Sequence, residues 1–167
     1  MNKLTCGIGV ALASLALWAC ETSGGGGTGA GNVRGTQKPV AFTWQGSDSE
    51  NDSGDITATF GNGRVFKGRF YQINRDTRAE RLDPLWDGWE TSNRSGNWRY
   101  WSDADDREFI RAYDGRVLAN LRANDGEHMR CRFTLISPSR GMAGGGEGRC
   151  QLSESSREIN AEFPRQS

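Results

Sequence analysis

The chain is poor in the groups that most enzymes use to move protons and electrons. A single histidine, His128, stands among 167 residues, and cysteine occurs only four times. Without a second histidine or a nucleophile elbow, no Ser-His-Asp constellation can be assembled, so no catalytic residue is assigned. No C-x-x-C pair is present, which removes the usual redox spacing, and a metal site would need more ligands than one histidine and the cysteines supply. No cofactor or metal is expected. The segment DSENDSGD at Asp48–Asp55 faintly resembles a calcium loop, but its glycine falls one place late and the closing Glu is missing. It reads as a solvated acidic loop, and Asp103–Glu108 reads the same way. Lysine is almost absent, with Lys3, Lys38 and Lys67 alone, a bias attributed to genome composition. Acidic and basic residues balance at 21 each and neither forms a block, so the overall charge gives no reason to expect nucleic acid as a partner. A glycosidase needs only two carboxylates with no local signature, so a weak carboxylate-based glycosidase stays open as an alternative. The leading expectation is a protein that is not an enzyme.

What the chain does have begins at its start. Lys3 forms a minimal positive region, and Ile8 to Trp18 are uncharged and mostly apolar. That run is too short to span a bilayer, and its position reads as an export signal over residues 1–19. Leu17-Trp18-Ala19-Cys20 resembles the bacterial lipobox, in which the cysteine is acylated and a dedicated peptidase cuts just before it. The resemblance implies fatty acyl chains, palmitate among them, on Cys20 and a membrane partner held through that anchor. Glu21 in place of Asp is compatible, by the same analogy, with the outer membrane, on its periplasmic face or at the cell surface. The Gly/Ser/Thr-rich tract that follows has no apolar periodicity and is expected to be a flexible tether over 20–38. Residues 39–167 then suit one domain.

Cys6 leaves with the signal and Cys20 takes lipid, so an exported domain keeps Cys131 and Cys150. An even pair in an oxidising compartment points to a disulfide.

Three segments resemble one another: Thr57–Phe70, Leu118–Phe133 and Arg149–Phe163. Each reads small, polar, large apolar, turn, large apolar, polar, small, polar, Phe. Alternation around Asn62-Gly63 and Asp125-Gly126 marks β-hairpins, since these dipeptides tolerate the positive φ of tight turns. Parity gathers the apolar residues of each hairpin on one face. It sends Lys67, Arg69, His128, Arg130, Arg132 and Gln151 to the other, mostly toward water. Both cysteines fill the small slot, so pairing the second hairpin with the third puts them opposite each other. The two hairpins would be joined through SPSRGMAGGGEG, with the GGGEG run as a floppy hairpin loop. Val40–Trp44 and Glu108–Tyr113 are further strand candidates. The expected fold is all-β, a small antiparallel barrel of about eight strands filled by its own side chains, with a β-sandwich as the alternative.

Residues 72–110 form an insertion between the first and second hairpins. It concentrates Trp86, Trp89, Trp98, Tyr100 and Trp101. These rings are candidate binding residues, able to stack on sugars or to anchor a protein partner. The competing reading is that LDPLWDGW folds back to plug one end of the barrel, burying its tryptophans. Six arginines face nine Asp or Glu in this insertion, a net of −3, which disfavours a polyanionic ligand.

The segments GDITATFGNGRVFKGRFYQI, LDPLWDGW, GRVLANL, MRCRF and GMAGGGEGRCQL together resemble a family of short, uncharacterised lipoproteins and exported proteins of proteobacteria. That resemblance implies the fold and the address, with no established activity attached. A looser likeness is to the lipid-tethered barrels by which some bacteria bind host proteins. The expected function is a non-catalytic, lipid-anchored envelope protein that binds another envelope protein, with a glycan- or peptidoglycan-binding module as the alternative.

Overall fold

A computed structural model describes residues 25–36, 38–47, 52–89, 105–155 and 157–167. Eight strands close into a barrel in chain order, every neighbouring pair antiparallel. They are β1 (Gly26–Val33), β2 (Pro39–Gly46), β3 (Ser53–Phe60), β4 (Val65–Gln72), β5 (Arg116–Ala123), β6 (His128–Leu135), β7 (Gly146–Leu152) and β8 (Glu158–Phe163). The three expected hairpins are β3–β4, β5–β6 and β7–β8, and Val40–Trp44 lies within β2. The barrel, rather than the sandwich, is the fold.

Closure depends on a strand read from sequence as tether. Gly26–Val33 is β1, paired to β2 on one side and to β8 on the other, so the boundary at residue 38 is corrected. Its glycines serve packing. A Cβ at Gly27 would sit 2.7 Å from Trp44 Nε1, at Gly29 2.5 Å from the Phe163 ring, and at Gly31 2.9 Å from the Phe42 ring. Large side chains from β2 and β8 thus occupy the volume that side chains on β1 would have needed. The same exchange recurs in register: Phe42 faces Ala58, Phe70 faces Ala119, and Phe133 faces Gly148. Phe163 meets Phe42 and Phe133 with ring centroids 5.5 and 4.9 Å away. The interior is a packed core and not a chamber.

Cys131 stands opposite Cys150 in the β6–β7 register and the two are bonded. The connection that follows β6 is a plug. Pro138–Gly144 forms a 3-10 turn that sends Met142, fully buried, into the barrel core. Gln72 Nε2 and the Gln166 backbone N–H donate to the Pro138 and Ala143 carbonyls at 3.1 and 3.0 Å, fastening it across that end. Of the glycines expected to make a floppy loop, Gly144 and Gly145 are buried at this end and Gly146 and Gly148 lie within β7.

Glu108–Tyr113, expected as a strand, belongs to a helix, α2 (Asp106–Tyr113). Asp105 caps it, accepting from the backbone N–H groups of Arg107 and Glu108 at 2.8 and 2.9 Å. Phe109 and Tyr113 are four apart and both buried, the spacing of one helical face. Among the described residues a further helix, α1 (Asp83–Trp86), is a single turn opened by Pro84.

Because Gly29 faces the Phe163 ring and the Glu162 carbonyl, Gly29→Val should lower stability by about 1–3 kcal/mol through overpacking. Urea unfolding would register this as a lower midpoint at unchanged slope. A midpoint equal to the parent's would mean that β1 does not bear on the core.

Candidate functional site

Side chains that point out of β5, β6 and β7 should meet water, yet Leu118, His128, Arg130 and Gln151 are all buried. The connection from β4 to β5 covers the first three, and Gln151 lies against Arg130. It leaves and returns at one point, where Ile73 N–H donates to the Arg116 carbonyl and Gly115 N–H to the Ile73 carbonyl, both at 2.8 Å. Between these bonds Ile73, Leu82, Leu85, Phe109 and Tyr113 pack on Leu118 as a second apolar cluster outside the barrel. Trp86 lies half-buried against Phe109, with ring centroids 4.8 Å apart. LDPLWDGW therefore lies along the wall and does not plug an end; the end plug is Pro138–Gly144.

Asn120 fixes the far part of this arm. Its amide donates to the Pro84 and Asp87 carbonyls at 3.0 and 2.8 Å, and its oxygen accepts from Trp89 Nε1 at 3.0 Å. Both amide hydrogens and the oxygen are engaged, so one side chain holds three points of the arm. Trp89 then lies over Arg130, whose guanidinium carbon is 4.0 Å from the ring centroid. Burial pushes Arg130 down to about 10, which still leaves it charged at neutral pH, and the face of the indole suits a cation removed from water. Arg130 also donates to Gln151 at 3.4 Å.

Beyond Trp89's contact lies His128, expected in water and 7% exposed. Gly88 rests on its ring. A Cβ there would come within 2.3 Å of the imidazole, and φ is +74°, so this position requires glycine twice over. His128 Nδ1 has no hydrogen-bond partner among the described residues. Burial, aided by the positive Arg122 and opposed by Asp87, holds the imidazole below its ordinary range.

Of the five candidate aromatics, the structure brings Trp86 and Trp89 together on the wall as anchors. Trp98, Tyr100 and Trp101 lie outside the described residues, as does Cys20. No group of three His, Cys, Asp or Glu is placed to hold a metal ion among the described residues. Sequence reasoning missed Asn120 and Arg130. The one signal available was Leu118, a large apolar residue in an outward slot of an otherwise alternating strand.

The arrangement defines a closed, self-filled antiparallel barrel carrying a clamped external arm. No family model and no curated protein sequence matches the chain. Among solved structures it is similar to designed barrels. One is described as a de novo designed fluorescence-activating β-barrel, at 16% identity and a TM-score of 0.43, covering 85% of this chain and 92% of that one. Another is a redesigned barrel, mFAP1, bound to DFHBI, at 11% identity and a TM-score of 0.45, covering 86% and 95%.

Two outcomes are expected. Asn120→Ala strands two carbonyls and an indole N–H, and should cost about 1–3 kcal/mol. Limited proteolysis should then cut the arm before the barrel. For His128, the unfolded chain takes up a proton more readily than the folded one, so this residue's contribution to stability falls as pH drops through 6.5. The loss levels off below the folded value. Urea midpoints between about pH 7.5 and 5 should slope less in His128→Gln than in the parent.

Proposed function

We propose that this chain is a non-catalytic, lipid-anchored protein of the bacterial outer membrane whose barrel is a rigid mount for a protein-binding arm. The observation that carries the reading is where space is left for a partner. The barrel interior is filled, and Met142 closes one end. At the other end Arg64 forms ion pairs with Asp125 and Glu127. Binding is therefore a matter for the outer surface.

On that surface the arm is the one long excursion among the described residues. Trp89 is held by Asn120 and Arg130, and Asp105 opens the anchored helix α2. Between these two fixed points the sequence carries Trp98, Tyr100 and Trp101, the ring types that dominate protein interfaces. Trp86 and Trp89 serve as fasteners, which narrows the binding candidates to these three. The envelope address follows from the resemblance of Leu17–Cys20 to a lipobox, and the disulfide is in keeping with an oxidising compartment.

The test is crosslinking of the full-length protein in its native envelope, comparing the parent with a Trp98→Ala, Trp101→Ala double variant. One protein captured in stoichiometric amount, and lost by about thirtyfold in the variant at unchanged thermal stability, is the expected result for a hot-spot pair. Undiminished capture overturns the assignment of these rings. No captured protein, with tryptophan fluorescence that instead answers to peptidoglycan fragments, would replace it with the glycan-binding alternative.

A further inference from the structure

The structure leaves very little chain between the proposed lipid and the barrel. The Gly25 carbonyl already accepts from Gly46 N–H at 2.7 Å, and β1 begins at the next residue. Five residue steps separate Cys20 from Gly25. Even fully extended they reach about 18 Å. An eight-residue strand is about 26 Å long, and at the usual strand tilt the barrel stands about 20 Å tall, so a link this short keeps the end where β1 starts nearest the membrane.

The near end is the plugged one. There β1 starts, β6 ends at Leu135, β7 starts at Gly146 and β8 ends at Phe163. Ile136, the one large apolar side chain that is exposed among the described residues, stands at this end and is 57% open. Pro138, Arg140, Pro164 and Arg165 are exposed around it. Arg140 donates to the Gln166 carbonyl at 2.8 Å, joining the plug to the segment after β8 in one surface. An open groove of about 240 Å³ runs between Ile136, Pro164 and Arg165, with Glu147 and Glu162 on its wall side. Those two acids face each other in the β7–β8 register, further from the end than Arg165.

We propose, on the basis of the lipid-anchor reading above, that this plugged end is a membrane-facing surface: Ile136 seats at the bilayer interface and Arg140 and Arg165 meet lipid phosphates. The occupant is the bilayer that holds the Cys20 acyl chains. An apolar side chain flanked by arginines is the pattern of interfacial contact, since the guanidinium heads stay at phosphate level while the aliphatic part goes deeper. The described part of the arm is strapped to the side wall, away from that end.

The experiment places a photoreactive benzoylphenylalanine at position 136 of the full-length protein, with a second variant at position 165 and a control at exposed Asn124 in the far β5–β6 turn. Cells are irradiated and adducts on each peptide identified by mass spectrometry. Phospholipid adducts many-fold more abundant at 136 and 165 than at 124 are expected. Equal yields at all three positions, or protein adducts in place of lipid at 136, overturn the orientation. The same spectra report on Cys20. Acyl chains on it with equal lipid yields leave the anchor reading intact and remove this inference alone, whereas a bare Cys20 removes both.

Discussion

A closed barrel of eight strands has a fixed interior, and every ring placed in it must be matched by a gap on a facing strand. That steric constraint organises the molecule. Phe163 and Phe42 reach across the seam where the first and last strands meet, and they do so because Gly29 and Gly31 present no side chain. Elsewhere Ala58, Gly68, Ala119 and Gly148 play the same part against Phe42, Leu121, Phe70 and Phe133. The cysteines fill this small-residue layer too, which is why a covalent bond fits between β6 and β7 without displacing an aromatic ring. Exclusion of ligand from the core is the other side of the same constraint.

With the interior taken, polar chemistry moves outside. The wall of β5 to β7 buries an arginine and a histidine beneath the arm, with a glutamine beside the arginine, an inversion of the usual arrangement in which the outer face of a small barrel is wet. The cost of removing Arg130 from water is offset by the Trp89 ring and by Gln151. Specificity of placement comes from Asn120, since a lone apolar cluster around Leu118 fixes contact but not register. Buried polar groups of this kind select one docking of the arm over many that would bury similar area.

Legibility followed from how local each signal is. The three hairpins are readable because alternation and small-residue slot, with a turn dipeptide in the first two, all lie within sixteen residues of one another. The cysteine pairing followed from their equivalent slots. β1 was hidden because glycine contributes no hydrophobic period: GGTGAGNV reads as linker by composition and acts as strand by what its neighbours require. In α2, Phe109, Ile110 and Tyr113 keep the three- and four-residue spacing of a helical face, and Asp105 caps it; the segment is only eight residues long, so the strand reading takes the short apolar run at its end instead. The site on the wall was the least readable. Parity assigned Arg130 and His128 to the correct face, but what covers that face arrives from a separate part of the chain.

The seam between β1 and β8 joins residues about 130 positions apart, Ala30 with Glu162. Every other pairing is made between consecutive strands, and of these β4–β5 must also close across the arm, but the β1–β8 seam spans the most chain and carries the largest loop-closure cost. A chain emerging from its amino end must hold the backbone of β1 unpaired along one edge until residue 163 has arrived. During that interval β1 is an open template for any extended segment nearby. Its glycine-rich composition makes it a weak one, because a strand with few side chains binds strangers poorly while still accepting the single partner whose rings fit its gaps.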